Sequence, residues 1–406
     1  MLPHELLLFN FGGSFMDEKR LLIKGGTVIT PFKIIEDGAV LIEGKKIKKV
    51  GKIDEVKISS SLKTIDAEKK YIVPGFIDLH THGGGGYDIL VDANYDAINK
   101  LSGFYAIHGV TSFLATTATA PHDVLKNAMK TLREAIEKGT GGAQILGIHL
   151  EGPWISKKKP GAQPVQWIRP PSFEEFMKLY EESGKNIKLV TIAPEVEGGL
   201  EFAKKLRELG VTVAIGHSAA NYEKVVEAVK YGVSHAAHTF NAMNGFHHRK
   251  PGTIGAVLSM DEITAEVIAD CVHVHPAAIK ILVRAKGVDK ICLITDSTPY
   301  AGMPDGEYTF AGMIKVIVKN GACRLPTGQL AGSVLTMDHA VKNMVEKIGL
   351  SLKNAIRMAT HNPAKVIGVD DVKGSLETGK DADIVILSKK LEVEMTIING
   401  ITSNLH

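Results

Sequence analysis

The middle of the chain alternates between short apolar runs and longer amphipathic stretches. The runs are GFIDLHTH (75–82), TSFLATT (111–117), ILGIHLEG (145–152), KLVTIAPE (188–195), VTVAIGHS (211–218), SHAAHTF (234–240), AEVIADCVH (265–273) and ICLITDS (291–297). Their length and bounding turn residues read as buried strands. Between most of them, apolar residues recur at helical spacing. PHDVLKNAMKTLREAIEKG opens at Pro121 and closes at Gly139, and NYEKVVEAVKYG has Asn221 as N-cap and Gly232 as stop. Eight strands alternating with helices predict an α/β fold, a (β/α)8 TIM barrel. A doubly wound open sheet is the competing architecture. It is disfavoured because no glycine-rich dinucleotide fingerprint follows the first strand and opens a helix.

The two ends are patterned differently. RLLIKGGTVIT and GAVLIEGKKIKKVG near the start, and DADIVILSKKLEVEMTIINGI near the end, read as short strands joined by turns with no long helix between them. They predict a small β-sandwich domain formed by both termini, residues 17–72 and 367–406, with the barrel (73–366) inserted between them. Residues 1–16 read as an extension with little role in the fold. Their apolar segment lacks a basic n-region and an A-x-A site, so a signal peptide is not expected.

Charge and cysteine content narrow the partners. The 48 basic and 45 acidic residues nearly balance, and no basic run suggests nucleic acid. No apolar stretch approaches the ~20 residues that span a bilayer, so no membrane partner is expected. Cys271, Cys292 and Cys323 are odd in number and lack CxxC spacing, which fits a reducing, cytoplasmic setting rather than a disulfide framework.

The candidate chemistry collects where barrel strands end, the face on which active sites of this architecture sit. His80 and His82 are two residues apart on the first strand and so share a face. Their Cβ atoms would lie roughly 7 Å apart, near enough for both rings to reach one ion at about 2.0–2.1 Å. Glu151 ends the third strand, His217 the fifth, His238 the sixth and Asp296 the eighth, and His273 follows the seventh. One histidine at a strand end is usually structural. So many ionisable groups at one rim cost several kcal/mol unless paired or metal-bound. Donors without thiolate suit zinc, with iron, cobalt or manganese as alternatives. An ion with an open position activates water and polarises a carbonyl. Asp296 is the candidate to take the water's proton and hand it to a leaving amine, unless it is only a ligand or a neighbour of one.

The segments PGFIDLHTHG, GIHLEGPWIS, GHS, HTFNAMNGFHHRKPG, IADCVHVHP and TDS…AGMPDGEYT resemble the N-acetylglucosamine-6-phosphate deacetylase family of the amidohydrolase superfamily, from about Leu21 to Gly400. HLEGP together with FNAM…HHRxPG points to that family, whereas HxH and TD alone indicate only the superfamily. The resemblance implies a metal-dependent barrel with a small β-sandwich. It also implies hydrolysis of N-acetylglucosamine 6-phosphate to glucosamine 6-phosphate and acetate, in amino-sugar catabolism or recycling.

Residue by residue, the resemblance implies a main metal site of Glu151, His217 and His238. His80 and His82 match the pair of members with a second metal site, Glu151 then bridging, so one or two ions are expected per subunit. Asp296 matches the general base and acid, and His273 the residue that hydrogen-bonds substrate and polarises the acetyl carbonyl. The amides of Asn241 and Ala242 match a phosphate site, with Arg249, whose planar fork suits phosphate. In relatives that arginine reaches the neighbouring subunit's site, which implies a homodimer. Leu330, Ala331 and Gly332, in LAGS, resemble the loop that lines the sugar, and Ala162 lies near the same pocket. Two departures stand out: Gln163 where relatives usually have histidine, and Pro299-Tyr300 in TDSTPYAGMP. Other readings are an amidohydrolase acting on another N-acyl amino sugar or a cyclic amide, and a catalytically inactive barrel scaffold. The complete donor set weighs against the scaffold. Glu151, standing where many relatives carry a modified lysine, weighs against the cyclic amide.

Overall fold

Eight parallel strands follow one another around a single sheet in chain order. They are Phe76–Thr81, Val110–Thr117, Gln144–Glu151, Ile187–Ile192, Thr212–Ile215, Val233–Ala236, Thr264–Ile268 and Ile291–Ile294, here barrel strands 1 to 8. The computed structural model describes residues 20–56, 62–310 and 314–403, so the predicted extension 1–16 lies outside the described residues. Every residue of strands 1 and 2 is buried, as expected of strands covered on both faces. The ring closes between strands 8 and 1. Asp296 N donates to His80 O at 2.8 Å, and Thr295 Oγ1 donates to Asp78 Oδ2 at 2.5 Å. Burial pushes the Asp78 carboxyl up to about 7, against the hydrogen bonds from Thr295 and His80.

The predicted helices pack outside the ring. His122–Lys138 buries Leu125, Met129 and Leu132, an i, i+4, i+7 stripe worth about 1.5–3 kcal/mol per side chain. Tyr222–Lys230 starts where Asn221 Oδ1 accepts from Lys224 N at 2.9 Å. The segment after strand 3 is pinned by Trp154, fully buried with its ring 4.7 Å from that of Phe202.

The strands stop earlier than the apolar runs suggest. Strands 5, 6, 7 and 8 end at Ile215, Ala236, Ile268 and Ile294. His217 (φ 46°), His238 (φ 28°) and Asp296 (φ 49°) lie just beyond, in left-handed backbone that breaks the ladder. Such conformations cost on the order of 1–3 kcal/mol for non-glycine residues and cluster at functional sites.

Both termini contribute to one further sheet. Arg20–Ile29, Ile34–Glu43, Lys46–Lys52, Lys63–Asp66 and Tyr71–Pro74 join Ile384–Leu387, Val393–Ile398 and Ile401–Ser403 as eight hydrogen-bonded strands. The sheet has its own apolar core around Ile23, Ile42, Ile72 and Ile384. The chain then enters the barrel at Gly75, where a Cβ would stand 2.1 Å from Thr111 Oγ1, so only glycine fits. Buried Lys373 ties the two units. Its Nζ lies 2.6 Å from Asp383 Oδ2, 3.0 Å from Asp381 Oδ2 and 2.7 Å from Gln144 Oε1, at the start of strand 3.

One element was not anticipated. After strand 8 the chain forms a small antiparallel sheet of Gly306–Phe310, Ile314–Lys319 and Ala322–Arg324. Its second turn is Asn320-Gly321, with φ of 52° and 73°, the pairing that two-residue hairpins favour.

Candidate active site

Glu151, the last residue of strand 3, is buried at the centre of the rim. Its Oε1 lies 2.8 Å from His238 Nε2 and 3.0 Å from His217 Nε2, and those two nitrogens are 3.1 Å apart. Donors bound to one tetrahedral ion at 2.0–2.1 Å stand about 3.3 Å from one another, close to the size of this triangle. His217 Nδ1 is held by the carbonyl of Lys159 at 3.0 Å, which leaves Nε2 for the site.

The second grouping shares Glu151. His82 Nε2 is 3.3 Å from Glu151 Oε2 and 3.3 Å from Asp296 Oδ1. His80 Nε2 is 3.4 Å from Glu151 Oε1 and 3.7 Å from Asp296 Oδ1. His80 is fully buried, and its Nε2 makes no hydrogen bond among the described residues. A buried nitrogen aimed between two carboxylates without a partner fits a divalent cation. Thus His80, His82 and Asp296, and His80, Glu151 and His238, each form a group able to hold one.

Burial opposes charge throughout, and the mutual attraction of the groups outweighs it. Glu151 is held well below the usual carboxylate range by His80 and His217, and Asp296 is lowered by His82 and His80. His82 is pushed up to about 9 by Asp296 and Glu151, and His238 is raised by Glu151.

A cavity of ≈ 570 Å³ opens over the rim. His82, Glu151, His217, His238 and Asp296 reach it, whereas His80 stands behind them. His273 borders it too. Asp270 Oδ1 accepts the amides of Val272 and His273 at 2.8 Å each, and Oδ2 accepts His273 Nδ1 at 2.6 Å. That leaves His273 Nε2 as the atom available to the cavity. Asn241 and Ala242 form another part of the wall, on a turn where Phe240 (φ 82°) and Ala242 (φ 50°) are left-handed. Ala162 and Leu330, Ala331 and Gly332 complete the lining expected from sequence.

Arg249 is the exception within one chain. It is exposed, with Nη1 2.6 Å from His248 Nε2, and it borders a separate cavity beside Asn244 and Lys250. Several neighbours of the site escaped the sequence reading. Gln163, noted only as a departure, donates from Nε2 to Glu151 Oε2 at 2.5 Å and accepts from Thr119 N at 2.7 Å. Lys158 and Lys159 border the main cavity, as do Val316 of the unanticipated sheet and Leu325 just after it. Asp270, three residues before His273, offered a legible i, i+3 spacing. The lysine run after HLEGPWIS was the signal for Lys158 and Lys159.

A (β/α)8 barrel with carboxylate-bridged histidine groups at its carboxyl rim defines an amidohydrolase, and the chain belongs to the amidohydrolase family, whose model matches residues 71–402. At closer range it is similar to N-acetylglucosamine-6-phosphate deacetylase of Bacillus subtilis (strain 168), 41% identical over 383 residues, covering 94% of this chain and 96% of that one. It is also 40% identical over 335 residues to N-acetylgalactosamine-6-phosphate deacetylase of Escherichia coli O157:H7, covering 82% and 88%. Among solved structures, a mutant of N-acetyl-D-glucosamine-6-phosphate deacetylase from Mycobacterium smegmatis, in complex with N-acetyl-D-glucosamine-6-phosphate, superposes with a TM-score of 0.88 at 31% identity, covering 95% and 99%.

Proposed function

We propose that the chain hydrolyses N-acetyl-D-glucosamine 6-phosphate to D-glucosamine 6-phosphate and acetate. The observation that carries this is the Glu151–His217–His238 triangle, with Asp296 3.3 Å from His82, opening on a cavity large enough for a sugar. The likeness to deacetylases over nearly the whole chain supports it.

Glu151, His217 and His238 would hold the main ion, and His80, His82 and Asp296 a second. Zinc suits these nitrogen and carboxylate donors, with iron, cobalt or manganese as alternatives. When bound, such an ion would activate water and polarise a carbonyl. Asp296 takes the proton of the attacking water and delivers it to the amine as the C–N bond breaks. His273, fixed by Asp270, presents Nε2 to the acetyl carbonyl. The amide of Ala242 receives the phosphate together with that of Asn241, which here donates to His238 O at 3.0 Å and would be shared or released on binding. Arg249 supplies charge from the partner copy of a homodimer, in keeping with its place outside its own chain's cavity. No helix among the described residues is long and apolar enough to cross a membrane. The three unpaired thiols support a cytoplasmic setting.

A second reading is N-acetylgalactosamine 6-phosphate as the preferred sugar. One observation favours it: the 40% identity, over 335 residues, to a relative named N-acetylgalactosamine-6-phosphate deacetylase. The mechanism is tested with Asp296→Asn, which should lower turnover by about 10²–10⁴-fold with little change in substrate affinity. Metal content measured on the same preparation separates proton transfer from ligand loss. Near-wild-type turnover would remove Asp296 from the reaction.

A further inference from the structure

Barrel strand 7 (Thr264–Ile268) is apolar except for Glu266 at its centre and Thr264 at its start. Glu266 is fully buried and does not reach the cavity, so it takes no direct part in the chemistry proposed above. A carboxylate in such a place demands partners, and two of those it has belong to the site. Oε2 accepts His80 Nδ1–H at 2.9 Å. The same oxygen accepts the backbone amide of His238 at 2.9 Å, within the left-handed turn that aims that ring. Oε1 lies 3.1 Å from His235 Nε2, and His235 Nδ1 is in turn 2.6 Å from Thr264 Oγ1.

The consequence falls on His80. An imidazole offers a metal one nitrogen lone pair, and the hydrogen bond at its other nitrogen decides which one. With Nδ1–H committed to Glu266, Nε2 is the remaining donor, and it points between Glu151 and Asp296 without a hydrogen bond of its own. Among the described residues His82 has no such support behind it; its Nε2 already meets two carboxylates.

We infer that Glu266 is a positioning residue that fixes His80 for a second metal ion, so that filling the His80–His82–Asp296 position depends on it. This rests on the two-ion reading of the site. Removal of such a carboxylate behind a metal-ligating histidine typically costs about 10–100-fold in metal affinity.

The test is metal binding rather than turnover. Wild type, Glu266→Gln and Glu266→Ala are stripped, then titrated with zinc against a chromophoric chelator, with bound zinc counted by elemental analysis. Wild type should take two ions. Glu266→Gln keeps an acceptor oxygen and loses the charge, so its second ion should weaken by about 10-fold. Glu266→Ala should weaken it by about 100-fold. The first ion should bind as in wild type in Glu266→Gln, whose remaining oxygen still accepts the His238 amide, and should weaken less than the second in Glu266→Ala. A merely structural role would depress both ions equally and overturn the inference. In a His80→Asn/His82→Asn background, adding Glu266→Gln should leave the remaining ion's affinity unchanged, because the route through His80 is gone. A further loss there would count against it.

A measurement on zinc-loaded wild type does not depend on variants folding. In ¹⁵N-histidine-labelled protein, His80 should show a slowly exchanging Nδ1–H resonance that is missing from His80→Asn. An unprotonated Nδ1 overturns the inference. A wild-type chain that takes one ion overturns both the two-ion reading and this inference. Two ions with equal affinity in all three proteins overturn the role of Glu266 alone.

Discussion

Replacing Lys373 with methionine should destabilise the protein by about 3–5 kcal/mol, the cost of breaking a buried ion pair from one side. Lys373 is 6% exposed. Its ammonium is the counter-charge of Asp383 at 2.6 Å and Asp381 at 3.0 Å, and it donates to Gln144 at 2.7 Å. Burial opposes its charge, yet the two carboxylates outweigh that and raise its pKa above the ordinary value for lysine. Methionine keeps most of the stem's packing volume, so the loss is electrostatic. It strands Asp383, which is itself buried and otherwise held through Oδ1 by Asn399 N at 2.9 Å. A loss of this size is a large share of the 5–15 kcal/mol that typically stabilises a folded chain. Urea unfolding followed by far-UV circular dichroism reads it as a lower midpoint at unchanged slope. Lys373→Met/Asp383→Asn should recover part of the loss, because the charge stranded at Asp383 is removed and Asp381 keeps Lys46 at 2.8 Å. The reasoning fails if Lys373→Met lies within about 1 kcal/mol of wild type, the size of an exposed pair. It also fails if the double variant is worse than the single one.

Further outcomes follow from the same kind of geometry. Burial pushes the carboxyl of Asp88 up to about 6, against hydrogen bonds from Val91 and Leu90. Its folded pKa therefore lies above its unfolded one, and its contribution is complete below pH ~4, then lost as pH rises through ~6. Above that the penalty is on the order of 3 kcal/mol. Asp88→Asn should be more stable than wild type at high pH, with the gap closing toward pH ~4; a pH-independent gap in thermal unfolding would contradict this. Asp270→Asn removes the carboxylate that orients His273 and should lower kcat/KM by roughly ten- to a hundred-fold with zinc content unchanged. If metal is lost instead, His273 is not the group affected. Arg249→Ala should weaken the phosphorylated sugar by roughly ten- to a hundred-fold and leave the unphosphorylated sugar nearly unaffected. In mixed dimers, an inactive subunit with an intact Arg249 should rescue a partner that lacks it, and equal loss for both sugars would reduce Arg249 to a structural role.

The barrel was legible because all eight of its strands are short apolar runs separated by turn signals or helical periodicity. Their ends were not. The turns at His217, His238 and Asp296 depend on left-handed backbone, and hydrophobicity carries no trace of φ. The sheet after strand 8 leaves a weaker mark: Asn320-Gly321 is a hairpin pair, but Val316, Ile317 and Val318 run together without the apolar–polar alternation of a half-buried strand. The donor set could be placed because each residue sits at the end of its own run. Glu266 could not, since its bond to His80 spans 186 positions and one carboxylate inside an apolar strand has no spacing to read. Arg249 is a different case: it is exposed and borders a separate cavity, so its proposed part in the site depends on a second copy.

The most direct test of the account is acetate release by the purified, zinc-loaded full chain across N-acetylglucosamine and N-acetylgalactosamine, each with and without the 6-phosphate. The account predicts rapid release from a 6-phosphorylated N-acetylhexosamine, N-acetylglucosamine 6-phosphate first. It predicts much slower release from the sugars lacking phosphate, and loss of activity on chelation that zinc restores. Equal rates with and without the phosphate, or undiminished acetate release from metal-free protein, would contradict it.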